Sequence, residues 1–262
     1  KKAQLYSMSI DNRDKLNHLL KYWSPGSLFF SSWLNRNEYS NQLMQSYRKS
    51  GWFSSLAKGV MYRTGDKVST WGAISSYNAQ EEKNVYVAAH SALELFGFNH
   101  YIPMGKPTLL IGYPTNEKIP AWMKENHFEY NLEFFTTKIF HKTAFTTKKI
   151  NGFDILVSVP EQAFLECLLL TPNRYDYMDL FYIMEQLNTM RADILQLLLE
   201  NLANNKVKRL FLYMAQKAGH GWFNKLDVSK IDLGAGKRVL VENGVYVSEY
   251  LITVPKELYE YE

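Results

Sequence analysis

The chain has 262 residues, of which 46% are hydrophobic, so it is long and apolar enough to form a folded core. This composition excludes an intrinsically disordered chain. The formal net charge of +4 is unevenly distributed: residues 1–67 carry 11 Lys and Arg against 4 Asp and Glu, which gives +7, and residues 68–262 carry 19 against 22, which gives −3. A basic segment joined to a larger, slightly acidic body suggests a module that binds a polyanion.

The single cysteine, Cys167, excludes a disulfide framework and lies in an apolar helical stretch, where a thiol is usually a small buried hydrophobe. The sequence shows neither a signal-peptide pattern nor a run of about 18 apolar residues. We therefore expect a cytoplasmic protein with no membrane partner.

Two helices are predicted at the start of the chain. The first has an apolar face spaced i, i+3, i+4 and i+7, and it ends at the "SPG" of residues 24–26. Its apolar residues are Leu16, Leu19, Leu20 and Trp23. The second is short, with Ser27 as its predicted N-cap. Its apolar residues are Phe30, Trp33 and Leu34.

The stretch "NEYSNQLMQSYRKSGWF" (37–53) predicts a third helix, capped by Ser40 and ended by Gly51. Leu43, Met44 and Tyr47 form its buried stripe. A hairpin follows, in which "WFSSL" and "VMYR" are strands joined by "AKG". Residues 1–67 therefore have the element order of a winged helix-turn-helix domain.

This order predicts that the third helix lies in a DNA major groove. Its Asn and Gln side chains would pair with adenine edges and its arginine with guanine, while cations of the wing would meet phosphates. The predicted DNA-binding residues are Ser40, Asn41, Gln42, Gln45, Arg48, Lys49, Lys58 and Arg63. The alternative is an ordinary amphipathic helix whose polar face meets only water.

Beyond residue 67 the composition changes. Residues 68–84 are predicted to form a linking helix, and residues 85–262 a C-terminal domain. A strand leading into a helix is expected from "VYVAAHSALELFGF", followed by β-rich runs between residues 108 and 158. Helices are predicted at 161–170, 176–187, 191–202 and 206–218, and Asn243-Gly244 predicts a final hairpin. The predicted fold class is α+β: an N-terminal winged helix-turn-helix domain plus a larger mixed α/β domain.

Enzymatic motifs are missing. Glycine-rich phosphate loops, HExxH and cysteine pairs do not occur, so no cofactor or metal is predicted. His90 precedes a serine, but the sequence offers it no orienting acid, so a packing or helix-start role is expected. A metal-dependent nuclease is the enzymatic alternative, since clustered carboxylates near lysines can hold Mg²⁺. Its residues would be Lys148, Lys149, Asp154, Glu161 and Glu166, although the two glutamates more often form a solvated helix face.

A second basic cluster, Lys206, Lys208 and Arg209, occupies the start of a predicted helix, where the macrodipole favours acidic residues. Cations are tolerated there when they meet an external anion such as nucleic acid. An exposed charge run without a function is an equally good reading.

Four blocks of the sequence resemble, in family order, the AbiEi-type antitoxins of type IV toxin–antitoxin systems. The blocks are "SSWLNRNEYSNQLMQSYRKSGWFSSLAKGVMYRTGDKVSTWGA", "AAHSALELFGFNHYIPMG", "VKRLFLYMAQKAGHGW" and "DLGAGKRVLVENGVYVSEYLITVP". The resemblance implies an N-terminal winged helix-turn-helix and a C-terminal antitoxin domain. It further implies repression of the chain's own operon through inverted repeats in the promoter. The expected functional partner is a nucleotidyltransferase-type toxin, AbiEii, which the antitoxin counteracts without necessarily forming a stable complex.

One residue departs from the family pattern. Glu38 stands where the family often has glycine, so an acid just before the reading helix would repel phosphate, and the geometry of the turn is left open. Three readings remain at this point: a DNA-binding regulator, a nuclease, and an antitoxin that acts only through protein contacts.

Overall fold

The computed structural model describes residues 12–22, 24–98, 105–125 and 128–262, so the predicted apolar position Trp23 lies outside the described residues. The chain falls into two compact units. The first contains residues 1–84, 120–129 and 149–155, and the second contains residues 85–119, 130–148 and 156–262. The domain boundaries predicted at residues 67 and 84 stay a prediction about which parts of the chain can fold independently.

The elements of residues 12–84 follow the predicted order with one addition, a short strand before the second helix. They are α1 (Asn12–Tyr22), β1 (Phe29–Phe30), α2 (Ser31–Arg36), α3 (Asn41–Lys49), β2 (Phe53–Ala57), β3 (Val60–Arg63) and α4 (Thr70–Glu81).

The middle of the chain is rich in strands, as predicted. Its elements are β4 (Tyr86–Val87), α5 (Ala89–Leu95), β5 (Thr108–Gly112), α6 (Ala121–Lys124), β6 (Asn131–Phe135), β7 (Phe145–Ile150) and β8 (Phe153–Ser158).

The last part begins with the four predicted helices. Its elements are α7 (Pro160–Leu169), α8 (Tyr177–Gln186), α9 (Ala192–Glu200), α10 (Asn205–Ala218), two 3₁₀ turns (Phe223–Lys225 and Val228–Lys230), β9 (Arg238–Val239), β10 (Val245–Val247), β11 (Ile252–Val254) and α11 (Lys256–Glu260). The predicted α+β class is confirmed.

In the first unit, three helices pack on a small antiparallel sheet with the strand order β1-β3-β2. The apolar faces predicted from the sequence meet in one core, to which α1 contributes Leu16 and Leu19, α3 contributes Met44 and Tyr47, and the hairpin contributes Phe53. Gly59 has a φ of +78° at the β2–β3 turn, which is the conformation that a glycine adopts without strain. This is the element order of a winged helix-turn-helix.

Strand β1 lies at the edge of this sheet, and side chains of helix α4 form hydrogen bonds with the backbone along that edge. The Gln80 side chain accepts a hydrogen bond from the N–H of Phe30 (2.9 Å) and donates one to the carbonyl of Leu28 (2.7 Å). The Ser76 hydroxyl oxygen accepts from the N–H of Leu28 at 3.1 Å. Because a buried backbone group without a partner is costly, these side chains make α4 part of the first unit.

The predicted cap of α2 is wrong. This helix begins at Ser31 after Phe30, which caps it without a side-chain hydrogen bond, while Ser27 is buried four residues earlier. The physical reason is that the chain before α2 is extended, since β1 pairs with β3 on one side and with α4 side chains on the other. A two-residue strand has too few residues to show an alternating pattern.

A five-stranded mixed sheet with the order β6-β5-β4-β8-β7 is formed mainly by residues of the second unit. Strand β4 lies in its centre, antiparallel to β5 and parallel to β8. Helix α7 packs against α5 and α10, and Phe164, Phe211 and Cys167 are fully buried there. Among the described residues, no helix is both long and apolar enough to span a bilayer.

The predicted Asn243-Gly244 hairpin is also wrong. Asn243 does adopt a left-handed conformation, with a φ of +57°. However, β10 pairs with β11, across a turn at residues 248–251, and β9 pairs in parallel with the other edge of β11. The Asn-Gly pair determines only the local backbone conformation. Which strands become neighbours depends on contacts with other parts of the chain.

Candidate nucleic-acid interface

Helix α3 forms as its sequence predicts. The Ser40 hydroxyl caps it by accepting from the N–H of Leu43 at 3.2 Å, so this hydroxyl is already engaged within the protein. Met44 and Tyr47 are buried, and Gly51 ends the helix with a φ of +78°. These contacts fix the rotation of the helix and therefore decide which side chains face outward.

The five polar residues that were predicted to face outward on α3 are all exposed. They are Asn41, Gln42, Gln45, Arg48 and Lys49. At about 100° per residue, Gln42, Gln45 and Lys49 lie opposite the stripe of Leu43, Met44 and Tyr47, with Asn41 and Arg48 on one flank. Ser46 is exposed on the other flank and was missed, although its helical position relative to Leu43 and Tyr47 would have placed it there.

The two predicted wing cations lie at opposite ends of the hairpin. Lys58 is exposed at the β2–β3 turn, whereas Arg63 pairs with Phe53 at the far end. Only three residues connect α3 to β2, and the two elements are in contact. Arg48 and Lys49 in the last turn of α3 are therefore close in the chain to the start of β2, which pairs with Arg63, and the Nε of Arg63 is 3.5 Å from Asp66.

The turn between α2 and α3 is now defined. Glu38 is exposed and has a φ of +66°, which is the left-handed region that favours glycine. Its carbonyl accepts a hydrogen bond from Lys15 Nζ at 2.7 Å, and the next residue, Tyr39, is buried in the core. A glycine would adopt this backbone conformation without strain, and the Glu38 carboxylate lies two residues before the cap of α3.

The three cations of the second basic cluster are engaged within the fold, so they are not an exposed charge run, and a role in binding an external anion stays a prediction. Arg209 is fully buried, and its guanidinium donates to the carbonyls of Leu233, Gly234, Gly236 and Leu251 at 2.7–2.9 Å. The four carbonyls occupy the donors that a phosphate would need.

The two lysines of the same cluster also serve the fold. Lys208 is 4% exposed and donates to the carbonyl of Asp232 at 2.8 Å, and Lys206 donates to the carbonyl of Thr171 at 2.6 Å. These contacts account for cations at a helix start, because each ammonium group is stabilised by a backbone carbonyl of a neighbouring segment.

The glutamates of the nuclease alternative do not form a solvated face, so that expectation is also corrected. Glu166 is fully buried and accepts from the N–H of Ala89 (2.8 Å), the Ser158 hydroxyl (3.0 Å) and the Gln162 amide (2.8 Å). Burial raises its pKa to about 7, against the lowering effect of these donors. An oxygen with so many protein donors is poorly suited to a metal ion.

Glu161 and Lys148 of the nuclease alternative are also engaged within the protein. Glu161 is bound by the Arg191 guanidinium at 2.9 Å and 3.1 Å, while Lys148 Nζ donates to the carbonyl of Leu95 at 2.5 Å. Asp154 and Lys149 are exposed. Across the residues that the structure describes, no group of three or more His, Cys, Asp or Glu could hold a metal ion.

His90 has an acid nearby that sequence reasoning overlooked, since Glu94 Oε1 lies 3.5 Å from its Nδ1, one helical turn away. The neighbouring Ser91 does not form a nucleophile with it. Its hydroxyl oxygen accepts from the N–H of Leu110 at 2.9 Å and is part of the sheet's support. The arrangement is that of a structural pair.

These features define a class: an α+β protein whose N-terminal part has the helix and strand order of a winged helix-turn-helix, with an exposed polar face on its third helix. Residues 12–104 match the family model for the AbiEi antitoxin N-terminal domain, and residues 106–255 match the model for "Transcriptional regulator, AbiEi antitoxin, Type IV TA system". The chain therefore belongs to the AbiEi family of antitoxins, which are transcriptional regulators of type IV toxin–antitoxin systems and not enzymes.

Among solved structures, the chain is similar to the crystal structure of the RV2827C protein from Mycobacterium tuberculosis. The TM-score is 0.58 with 12% sequence identity, over 91% of this chain and 89% of that chain. At this identity the likeness concerns the fold alone. No curated protein matches the sequence.

Proposed function

We propose that this antitoxin represses its own operon by binding inverted repeats in the promoter, and that it counteracts a nucleotidyltransferase-type toxin of the AbiEii kind. Its site of action would be the cytoplasm. The observation that carries the DNA-binding part is the exposed face of α3, where amides and cations lie opposite a buried stripe. The net charge of +7 in residues 1–67 adds long-range attraction to phosphate.

The residues of this face have different proposed roles. Gln42 and Gln45 point directly away from the core and are the first candidates to read adenine edges. Lys58 at the wing turn meets a phosphate, because a lysine is a point charge without the geometry for base reading. Ser40 contributes by capping the helix, which holds the amides in place.

The test compares Gln45→Ala and Arg48→Ala on a duplex that carries the chain's own promoter repeats and on a random duplex. A base contact is expected to contribute roughly 1 to 3 kcal/mol on the promoter and little on random DNA. Lys225→Ala, an exposed cation of the second unit, is the matched control. Equal losses on both duplexes would assign the two side chains to phosphate and remove them from sequence recognition.

The antitoxin part of the proposal rests on the family and needs a separate measurement. Cells that express the cognate toxin should survive when this chain is supplied, and survival should persist in a Gln45→Ala variant that no longer represses. A purely protein-interaction antitoxin would instead leave promoter binding undetectable at every salt concentration, whereas phosphate contacts give a steep salt dependence.

A further inference from the structure

A cavity of about 450 Å³ lies on one face of the five-stranded sheet, next to its edge strand β6, and its lining residues all belong to the second unit. Leu110 of β5 is the partner of Glu133 in the parallel β5–β6 register, so both side chains lie on this face, together with Thr108. Helix α5 forms one wall, because the Ser91 hydroxyl oxygen accepts from the N–H of Leu110 at 2.9 Å. Residues 173–175, between α7 and α8, form the other wall. We call this cavity the Glu133 pocket.

A guanidinium and a carboxylate are held side by side in the Glu133 pocket. The Arg174 guanidinium donates to Glu133 Oε2, and the two side chains are 31% and 47% exposed, so both groups also reach solvent. The Tyr175 hydroxyl is within hydrogen-bonding reach of the N–H of His90 and of the Arg174 side chain. These contacts connect the loop to β6 and to α5. The pocket therefore presents a fixed donor group beside a fixed acceptor group.

The wall formed by α5 begins with a strained backbone. Ala89 has a φ of +47°, and the fully buried Glu166 carboxylate holds this residue by accepting its N–H at 2.8 Å. The next residue, His90, lines the pocket with its ring centroid 6.1 Å from that of Tyr175, and its Nδ1 is 3.5 Å from Glu94 Oε1. Backbone strain of this kind is concentrated at ligand-binding and other functional positions. It is an observation independent of the ion pair, and it points to the same cavity.

The mixture of charges in the pocket excludes the simplest ligands. A free phosphate would be repelled by the Glu133 carboxylate, and a metal cation would be repelled by the Arg174 guanidinium. An arginine only donates hydrogen bonds and a carboxylate only accepts them, so the pair suits a ligand edge with an acceptor next to an N–H donor.

A nucleobase has such an edge and a shape that fits the rest of the pocket. Each of the common bases carries an N–H next to a carbonyl oxygen or a ring nitrogen, and proteins bind unpaired bases through these edges and by stacking on Tyr, His or Arg. Leu110, His90 and Tyr175 supply apolar and aromatic surfaces for the planar ring. The volume is within the range of about 300–1,000 Å³ that is usual for small-molecule sites.

We propose that the Glu133 pocket binds a nucleobase, with Glu133 accepting an N–H of the base edge, Arg174 donating to the neighbouring acceptor and the Tyr175 ring against the face of the base. The base belongs either to a free nucleotide or to an unpaired position of a nucleic-acid strand, since both present the same edge. The site lies in the second unit and does not involve α3, so the inference goes beyond the proposed function and does not depend on promoter binding.

The experiment measures binding of the four common nucleosides to the full chain by calorimetry and saturation-transfer NMR. At least one should bind, and the same nucleoside methylated at its edge N–H should bind about tenfold more weakly or worse, because a hydrogen bond to a charged group is lost. Glu133→Ala should weaken the unmethylated nucleoside by a similar factor. Asp227→Ala is the matched control, since it removes the carboxylate of another ion pair of the second unit at a similar exposure of 45%, and it should change nothing.

A second variant keeps the test independent of the ion pair. Thr108→Phe adds a large ring inside the cavity at an exposed strand position that tolerates aromatic residues, and it leaves Glu133 and Arg174 in place. It should abolish nucleoside binding without lowering the melting temperature. If the ion pair only connects the loop to the sheet, Thr108→Phe and natural protein will behave alike toward nucleosides, and the proposal is wrong.

The remaining outcomes are equally decisive. Failure of all four nucleosides to bind would overturn the proposal, as would affinities that are the same in the natural protein, Glu133→Ala and Thr108→Phe. Ribose 5-phosphate lacks a base and should not bind; binding as tight as that of the nucleosides would contradict recognition of a base edge. Promoter affinity should be unchanged in Glu133→Ala, so the proposed function is tested separately.

The two sources of the base are distinguished by a single-stranded oligonucleotide of the preferred base. Tighter binding than that of the 5′-mononucleotide, lost in Glu133→Ala, identifies an unpaired base of a strand. Weaker binding identifies a free nucleotide. Both results support the base site, whereas oligonucleotide binding that Glu133→Ala and Thr108→Phe leave intact would place the contact elsewhere and count against it.

Discussion

At the scale of single residues, Glu38 combines two properties that are separable by mutation. Its left-handed backbone favours glycine by about 1 kcal/mol, and its carboxylate lies just before the proposed reading helix. We expect Glu38→Gly to raise the free energy of unfolding by up to about 1 kcal/mol in urea titrations, because the replacement relieves the strained φ.

The matched variant is Glu38→Gln, which removes the charge and keeps a side chain of the same length at the position with the left-handed backbone. Both variants should bind the promoter duplex more tightly by the same factor, since phosphate repulsion is lost in both, but only Glu38→Gly should gain stability. Equal stability of the two variants would show that the turn is not strained at this residue.

Several residues could not be assigned from the sequence. Periodicity correctly placed Gln45 and Lys49 outward on α3, because a buried stripe three and four residues apart fixes the opposite face. The sequence could not predict that Arg209 binds backbone carbonyls, because these partners lie 24 to 42 residues further along the chain. Burial of Glu166 was missed for the same reason: its donor Ala89 lies 77 residues earlier.

At the scale of elements, the contact between α4 and β1 makes a testable difference. Gln80→Leu keeps a buried side chain of similar size but leaves the N–H of Phe30 and the carbonyl of Leu28 without partners. We expect a loss of about 2 to 4 kcal/mol in the free energy of unfolding. The Phe30 amide proton should exchange much faster with solvent, which hydrogen exchange detects directly.

The control for this change is Ala79→Leu, which puts the same side chain at the exposed neighbouring position of α4. It should alter stability by less than about 0.5 kcal/mol. Similar effects of both variants, with a Phe30 amide that exchanges as before, would mean that Gln80 does not hold β1.

The sequence predicts an element correctly where its apolar spacing repeats over many residues. It does not predict which strands pair when the partners are decided by packing elsewhere in the chain. Helices α7 to α10 were found within a few residues of their limits because each repeats its apolar spacing over several turns. Strand β1 was missed because two residues contain no alternation. The partner of β10 was misjudged because an Asn-Gly pair reports a local φ, and pairing with β11 depends on packing elsewhere.

At the scale of the whole molecule, Glu166 couples stability to pH. Its pKa in the folded protein is about 7, above the ordinary 4.5 of a glutamate. The folded state therefore holds the proton more tightly, and this contribution is complete below about pH 4.5 and is lost as the pH rises through 7. Its full size is on the order of 3 kcal/mol. Glu166→Gln should flatten the fall in the free energy of unfolding between pH 5 and 7.

Other groups near Glu166 do not produce the same trend. Burial raises the pKa of the Tyr86 hydroxyl and of the Cys167 thiol above their usual values, so neither titrates between pH 5 and 7. Glu242→Gln, at an exposed glutamate, is the control and should keep the slope of the natural protein. An unchanged slope in Glu166→Gln would show that this carboxyl titrates normally in the folded chain.

The hydrogen bonds between Arg209 and the last segment of the chain predict how the protein behaves after cleavage by trypsin. Trypsin has exposed sites at Lys237 and Arg238, whereas Arg209 is buried and protected. After a cut at Arg238, the piece from residue 239 onward keeps Ile252, Val254 and Leu258 fully buried and the Leu251 carbonyl on the Arg209 guanidinium. The two pieces should therefore co-elute in native gel filtration and separate only in denaturant, so the nicked molecule behaves as a non-covalent complex of its own fragments.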